Sequence, residues 1–342
     1  SSADRAKIAH YCVQDTDLVR RLINKRQLIV NLIEMARVIG CTFGAVFGRG
    51  QQFKITRKIM EYTRKHDFIL QHFDRNEHGF TVVPAYKQIV NSNVKAMAAL
   101  DISQPAGTGV GFQGATVLAP VRGFHTEPVV CLDFASLYPS IMRSHNLSHD
   151  TYLLSRAHGA KLGLRADDIA ESPNGFLFVK QAKHQGILPM ILTDLLSARK
   201  RAKAQMKSAK TEMERSVFNG KQLALKICCN SVYGFTGAKT SALPCVSIAA
   251  SVTSYGREMI YNTKSFMERR FGAQVVYGDT DSVFVKFPGI TTVAEAIAKG
   301  KEAEEAVHDP VTGIFDGKKI VLEYEKTLCP FFIGDKKKRY FS

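Results

Sequence analysis

Three aspartates stand where short apolar segments end or turn. Val129–Ser140 reads VVCLDFASLYPS, so a predicted strand delivers Asp133 to its end and a turn follows. A carboxylate there is well placed to hold a hard cation such as Mg²⁺. Val275–Val285 reads VVYGDTDSVFV, a predicted hairpin with Asp279 and Asp281 at its tip. In strict extended geometry two acids at this spacing share one face. Like charges that close repel and raise each other's pKa unless a cation neutralises them. Asp and Gly also favour ordinary polar turns, and one Asp at a strand end is commonly a cap. Apolar flanks on both hairpin strands hold the acids more rigidly than a surface turn needs. Taken with Asp133, the pattern predicts a carboxylate metal site.

Two basic rows accompany the acids. Arg199, Lys203 and Lys207 are four apart and share one helical face. Lys226, Asn230 and Tyr233 fall at i, i+4 and i+7, again on one face. Such rows can grip a triphosphate through charge-assisted hydrogen bonds, although cationic helix faces are most often simply solvated. Lys336–Tyr340 reads KKKRY, a basic cluster with an aromatic that suits a nucleic-acid backbone. The bland alternative is a solvated tail.

The elements that must position these groups follow from periodicity. Ile8, Cys12, Leu18, Leu22, Ile29, Leu32, Ile33, Ala36 and Ile39 recur at three- and four-residue steps, which predicts a helix over 4–39, with Gly40 as its stop. A second helical stretch is predicted near 53–66. Residues 103–115, rich in Gly and Pro, are predicted as a loop. A strand is expected at 128–132, and two helices over 190–237 separated near Asn219-Gly220. Further expectations are a helix at 241–270, two strands at 273–287, a helix at 291–307 and strand at 319–333. There is no internal repeat and no low-complexity tract.

Composition narrows the class. At 342 residues the chain suits two or more domains. Hydrophobic residues are 45% and charged residues 23%, as in a globular fold. The formal net charge of +16 favours a polyanionic partner, nucleic acid first. The 7 cysteines form no CxxC pair, so they are expected reduced, with no zinc or iron–sulfur site. No apolar run is long enough to span a membrane, and none opens the chain as a signal peptide, so no membrane partner is expected. Ser1-Ser2 without a methionine suggests a piece of a longer protein.

In their order and spacing these segments resemble the family B DNA polymerases. Asp133-Phe-Ala-Ser-Leu-Tyr-Pro-Ser140 is similar to motif A, Lys226-Ile-Cys-Cys-Asn-Ser-Val-Tyr-Gly234 to motif B, Tyr277-Gly-Asp-Thr-Asp-Ser282 to motif C, and Lys337-Lys-Arg-Tyr340 to the KKRY segment. Arg49-Gly-Gln-Gln52, Leu195–Lys203 and Asn230–Ala238 resemble the delta-like branch. Herpesvirus-type members share much of this pattern, so the branch stays open. Tyr11-Cys-Val-Gln-Asp15 is similar to the third exonuclease motif, with Tyr11 and Asp15 as its remnant. The template-contacting loop of the family, YxGG or YxGA, here reads Phe112-Gln-Gly-Ala115 and lacks the tyrosine hydroxyl.

The resemblance implies an α+β palm, an antiparallel sheet with helices on one side, interrupted by a two-helix fingers insertion. The implied divisions are an exonuclease tail at 1–25, a connecting region at 26–125, palm at 126–189, fingers at 190–240 and palm again at 241–342, with the thumb missing. It implies two-metal nucleotidyl transfer from a dNTP to a primer 3′-hydroxyl, without proofreading by this chain. Asp133, Asp279 and Asp281 are the implied catalytic acids. Asp133, Asp281 and the Phe134 carbonyl are the implied ligands of two Mg²⁺ ions. Tyr138, Arg199, Lys203, Lys226, Asn230 and Tyr233 would bind the dNTP, with the Tyr138 ring excluding a 2′-hydroxyl. Gly114, Lys337, Lys338, Arg339 and Tyr340 would touch primer-template DNA. A sliding clamp, accessory subunits and a nuclear location are implied for the full-length protein. Two rivals stand beside this reading. One is a catalytically silent relative that only binds DNA or partners, and the three retained acids speak against it. The other is an RNA-synthesising palm enzyme or reverse transcriptase, against which the NSxYG helix and Tyr138 argue.

Overall fold

The structure is a computed structural model that describes residues 1–66, 113–238, 241–315, 319–334 and 338–342. The chain divides into two compact units, Ser1–Asp67 with Ile191–Phe235, and Phe68–Met190 with Thr236–Ser342.

The first unit is helical. Helix α1 (Ser2–Lys25) opens on a capping box, in which the Ser1 hydroxyl accepts from the Asp4 amide and the Asp4 carboxylate reaches back to Ser1. The single helix expected over 4–39 is two. Gln27 adopts φ 50°, a left-handed conformation that breaks the ladder before α2 (Leu28–Ile39). The apolar spacing runs unbroken across this kink, so periodicity could not reveal it. Gly40 at φ 74° closes α2, as expected of a glycine beyond a helix end. Helices α3 (Phe43–Gly48) and α4 (Gln51–Lys65) follow. Met35, Ile39, Val46, Ile55, Ile59 and Tyr62 are buried hydrophobic side chains of α2, α3 and α4.

Residues 190–237 do form two helices, but the break is not at Asn219-Gly220. Helix α7 (Ile187–Ser208) ends eleven residues earlier, and α8 (Glu212–Gly237) carries Asn219 and Gly220 in its interior. Gly220 is there for proximity: a Cβ on it would lie 2.9 Å from Asn31 Oδ1 and 3.5 Å from Glu34 Cγ of α2. The glycine that resembles a helix stop is instead a helix–helix contact. Within the same unit the Tyr62 hydroxyl of α4 donates to the Asp194 carboxylate of α7.

The second unit is built on a four-stranded antiparallel sheet in the order β6-β7-β2-β8. Its strands are β2 (Val129–Phe134), β6 (Gln274–Asp279), β7 (Ser282–Lys286) and β8 (Leu322–Leu328). Pairing Leu132 with Val283 and with Tyr324, and Val130 with Val285, gathers one apolar face. Helix α10 (Val293–Val307) lies on that face: a Cβ on Gly300 would stand 2.6 Å from the Tyr324 ring and 2.9 Å from Val130 Cγ1. Helix α9 (Val246–Phe271) packs beside β6 and β7. The opposite face carries Cys131, Asp133, Ser282 and Phe284, placed together by the same registers. Over it Tyr277 and Phe284 pack with Phe331 and Ile333 of β9 (Phe331–Ile333), which joins a small sheet with β1 (Gly123–His125) and β10 (Tyr340–Phe341). Mixed helix and antiparallel sheet make this the expected α+β class.

Three elements had no sequence signal strong enough to name. Helix α5 (Leu137–Ser144) begins directly after Ser136, whose φ of 54° turns the chain out of β2. A satellite sheet of β3 (Tyr152–Leu153), β5 (Leu177–Val179) and β4 (Ile169–Glu171) has its own core of Leu153, Leu164, Ile169, Leu177 and Val179. Its strands are only two or three residues long, too short for period-two patterning. Helix α6 (Arg156–Lys161) links β3 to β4. Buried Asn146 ties this region together: its amide donates to the Val179 and His184 carbonyls, and its carbonyl accepts from Gly186. Among the described residues no helix is long and apolar enough to cross a membrane.

Candidate active site

The site grows from strand β2. Alternation sends Val130, Leu132 and Phe134 into the helix-covered face and leaves Cys131 and Asp133 on the other. Asp133 is directly opposite Ser282 of β7 and Glu323 of β8. The Phe134 amide donates to the Asp281 carbonyl at 2.8 Å, which fixes the hairpin tip beside the end of β2.

That tip differs from the extended geometry expected of it. Asp279 ends β6 and Ser282 begins β7, so Thr280 and Asp281 form the turn. Thr280 has φ 58°, and the Asp281 amide donates to the Asp279 carbonyl at 2.6 Å. A β-branched residue in this region is a true outlier, and such strain collects at functional sites. The two acids therefore do not lie on one face of a straight strand; the turn separates their surroundings. The tip is braced by Leu118 and Thr116, which exchange backbone hydrogen bonds with Gly278 and Thr280. Gly278 permits the approach, since a Cβ there would sit 2.8 Å from Leu118 Cδ1.

A cavity of about 370 Å³ opens on this face, lined by Cys131, Asp133, Asp279, Thr280, Asp281, Ser282, Phe284, Glu325, Lys326, Lys338 and Tyr340. All three predicted acids reach it. Burial, then the neighbouring Asp281, Glu325 and Glu323 charges, push Asp133 up to about 7. Burial is also the main cause that raises Asp281, with Asp279 and Glu325 adding to it. A half-buried cluster of carboxylates that resists ionising is short of positive charge, which a divalent cation would supply. Among the described residues no group of three or more His, Cys, Asp or Glu side chains is placed to hold a metal ion.

Two acids near Asp133, Glu325 in the pocket and Glu323 opposite Asp133 on β8, lie outside the sequence expectations. The pairing of β2 with β8 shifts between Cys131/Lys326 and Leu132/Tyr324, so Glu325 is the extra residue of a bulge. Cys131 Sγ donates to Glu325 Oε2 at 3.4 Å, and burial with that carboxylate raises the thiol well above its usual range. Glu323 and Glu325 stand two apart in LEYEKTL, the same spacing that drew attention to the hairpin acids. Which partner strand they would face was not readable.

The other predicted residues are placed as follows. Tyr138, half-buried in α5, lies against α9, where a Cβ on Gly256 would be 3.5 Å from its Cε1. Lys338 sits at the pocket, with Nζ 3.2 Å from Asp279 Oδ1. Arg339 is exposed, while the Tyr340 ring packs 5.3 Å from Phe284 and 5.6 Å from Phe331. Exposed Gly114 accepts at its carbonyl from Arg257. Lys337 and Phe112 lie outside the described residues. In the helical unit, Arg199 and Lys203 are on α7, and α8 turns Lys226 and Asn230 outward while burying Leu225, Cys228 and Val232. Tyr233 is half-buried on the same row. Tyr11 and Asp15 are exposed on α1, none of whose residues is buried.

Curated relatives match nearly the whole chain. It is 41% identical over 345 residues to the DNA polymerase delta catalytic subunit of Caenorhabditis elegans, covering 98% of this chain and 28% of that protein. It is 40% identical to the same subunit of Schizosaccharomyces pombe, with the same coverage. The corresponding rice protein (Oryza sativa subsp. japonica) is 42% identical, covering 99% of this chain and 28% of its own length. The chain thus spans just over a quarter of the relatives it matches. Among solved structures, the family B DNA polymerase of the archaeon Pyrobaculum calidifontis has a similar fold, with a TM-score of 0.62 at 24% identity over 93% of this chain and 35% of that one. Residues 41–342 match the family model for DNA polymerase family B, and the chain belongs to that family.

Proposed function

We propose that this chain carries the nucleotidyl-transfer site of a delta-type replicative DNA polymerase, adding deoxynucleotides to a primer 3′-hydroxyl. The observation that carries this reading is the pairing of Asp133 with the Asp281 turn across β2 and β7, two half-buried acids held above their ordinary carboxylate range. The relatives it matches, DNA polymerase delta catalytic subunits, support the reading. The full-length protein is accordingly assigned to nuclear replication and repair, with a sliding clamp and accessory subunits as partners.

The donor set fits a hard divalent cation, since it offers carboxylate oxygens. Asp133 and Asp281 would hold Mg²⁺, with the Phe134 carbonyl at the same strand end. When bound, Mg²⁺ lowers the barrier by neutralising charge on the attacking and leaving oxygens. The chain's own residues do the rest. Arg199, Lys203 and Lys226 offset the charge of the triphosphate, and Asn230 donates a hydrogen bond to it. Tyr138, backed by Gly256, presents a flat ring that leaves no room for a 2′-hydroxyl. Tyr233 packs beside the nascent base pair. Gly114, Lys337, Lys338, Arg339 and Tyr340 hold primer-template DNA. The proposed domain plan assigns 1–25 to an exonuclease tail, 26–125 to a connector, 190–240 to fingers and the remainder to palm.

Primed-template extension with Mg²⁺ and dNTPs is the test, run beside a thermal-shift measurement with dATP. Extension and an Mg²⁺-dependent shift are expected from the parent and neither from Asp133→Asn/Asp281→Asn. A ligand at 100 times its dissociation constant stabilises by about 2.7 kcal/mol, well within reach of the measurement. An Mg²⁺-dependent shift that survives in the double variant would remove these two acids from the site.

A further inference from the structure

The hairpin presents two aspartates two residues apart, yet their surroundings are unlike. Asp279 Oδ1 accepts from the Thr280 hydroxyl at 2.9 Å and from the Lys338 ammonium at 3.2 Å. Among the described residues neither Asp133 nor Asp281 has a cationic side chain within ion-pair distance. Lys338 does not reach Asp279 by chance rotation of a long side chain alone. Its backbone is held at φ 66°, and its amide donates to the Tyr277 hydroxyl at 2.9 Å. Tyr277 is fully buried on β6, two residues before Asp279 and on the same face. The strand that carries the acid thus also anchors the backbone of the lysine that neutralises it.

We infer that Lys338 is a positioning residue that keeps Asp279 out of the metal pair, so that a divalent cation is taken by Asp133 and Asp281. This rests on the reading of that pair given above. Of the four carboxylates around the pocket, Asp133, Asp279, Asp281 and Glu325, the hairpin's Asp279 would otherwise compete with the pair for the ion, and an ion drawn toward it would leave the end of β2. With its Oδ1 already shared between an ammonium and a hydroxyl, Asp279 has little to gain by turning toward a metal. Lys338 is two-thirds exposed, so replacing it opens no core.

The test is Mn²⁺ binding to the 342-residue chain, read from the electron paramagnetic resonance signal of free Mn²⁺. Parent, K338R, K338Q, D279N, K338Q/D279N and D133N/D281N are compared, with far-ultraviolet circular dichroism as a fold control. K338Q is expected to bind Mn²⁺ at least about fivefold more tightly because Asp279 is released, and K338R to bind as the parent does. D279N should change affinity little in the parent and by about fivefold or more in the K338Q background. Simple removal of a positive charge would also tighten binding, but its effect would be the same with or without Asp279. Equal effects of D279N in the two backgrounds, or unchanged binding by K338Q, overturn the proposal. D133N/D281N separates the two layers: Mn²⁺ binding that persists in it, or is absent from the parent, sinks the metal-pair reading and the proposal with it.

Discussion

Removing a carboxylate from the pocket should make the metal-free protein more stable. Asp133 titrates near 7 in the folded chain against an ordinary value of 3.8, chiefly because it is buried and then because Asp281 faces it. Between those two values the folded state binds more protons than the unfolded state, so stability falls as pH rises through the window and levels off above about 7. Taken at face value, that difference at about 1.36 kcal/mol per pH unit sets a ceiling near 4 kcal/mol. Asp133 is only half-buried, and solvent screening reduces the realised cost to roughly 1–2 kcal/mol. Asp133→Asn keeps the shape and removes the charge. At pH 8 with chelator, it is expected to melt about 2–6 °C above the parent, given the usual few degrees per kcal/mol for a unit of this size. Near pH 4 the two should coincide, because the parent carboxyl is then neutral as well. The assay is melting temperature followed by circular dichroism from pH 4 to 8, repeated with saturating Mn²⁺. A parent profile flat across that range, or a variant no more stable at pH 8, would show that the acids carry no electrostatic penalty and that the argument for a cation-hungry site is wrong.

Three further outcomes follow from named contacts. Tyr138→Ala should raise ribonucleotide incorporation relative to deoxynucleotide by about tenfold or more, measured by single-nucleotide extension; unchanged sugar discrimination would refute the role of the ring. Gly300→Val forces side-chain atoms into space where even a Cβ stands 2.6 Å from Tyr324, and should cost about 1–3 kcal/mol or more in urea unfolding. Tyr62→Phe removes the donor to Asp194 that links α4 to α7, and should lower stability by about 1–3 kcal/mol. A Tyr62→Phe chain as stable as the parent would mark that bond as incidental.

What was legible in the sequence was whatever is local. The apolar run at 129–132 and the paired runs around Asp279–Asp281 marked strands because strands buried on both faces read as short continuous apolar runs. Gly40 likewise marks the end of α2, in left-handed conformation. What escaped was set by contacts distant in sequence. Gly220 looked like punctuation but is a contact surface for Asn31 and Glu34. The γ-like turn at Thr280 is braced by backbone hydrogen bonds from the Thr280 amide to the Thr116 carbonyl and from the Phe134 amide to the Asp281 carbonyl, both partners far away in sequence, and no propensity of threonine announces it. Glu325 entered the pocket through a bulge, which shifts register by one residue and leaves no trace in the alternation of either strand alone. The family motifs pointed to Asp133 and Asp281, which line one pocket although they are far apart in sequence.

Strand β2 is central in its sheet, and both neighbours come later in the chain. Its partners β7 and β8 begin at Ser282 and Leu322, whereas β2 ends at Phe134. On a ribosome adding about 5–20 residues per second, β2 must wait roughly 8–30 s before its first partner has been made. Through that interval Val129-Val-Cys-Leu132 is an unpaired, uncharged, β-prone segment, the kind that seeks edges on other chains. The run is flanked by the carboxylates of Glu127 and Asp133, charges of the kind that oppose self-association of such a segment while it waits.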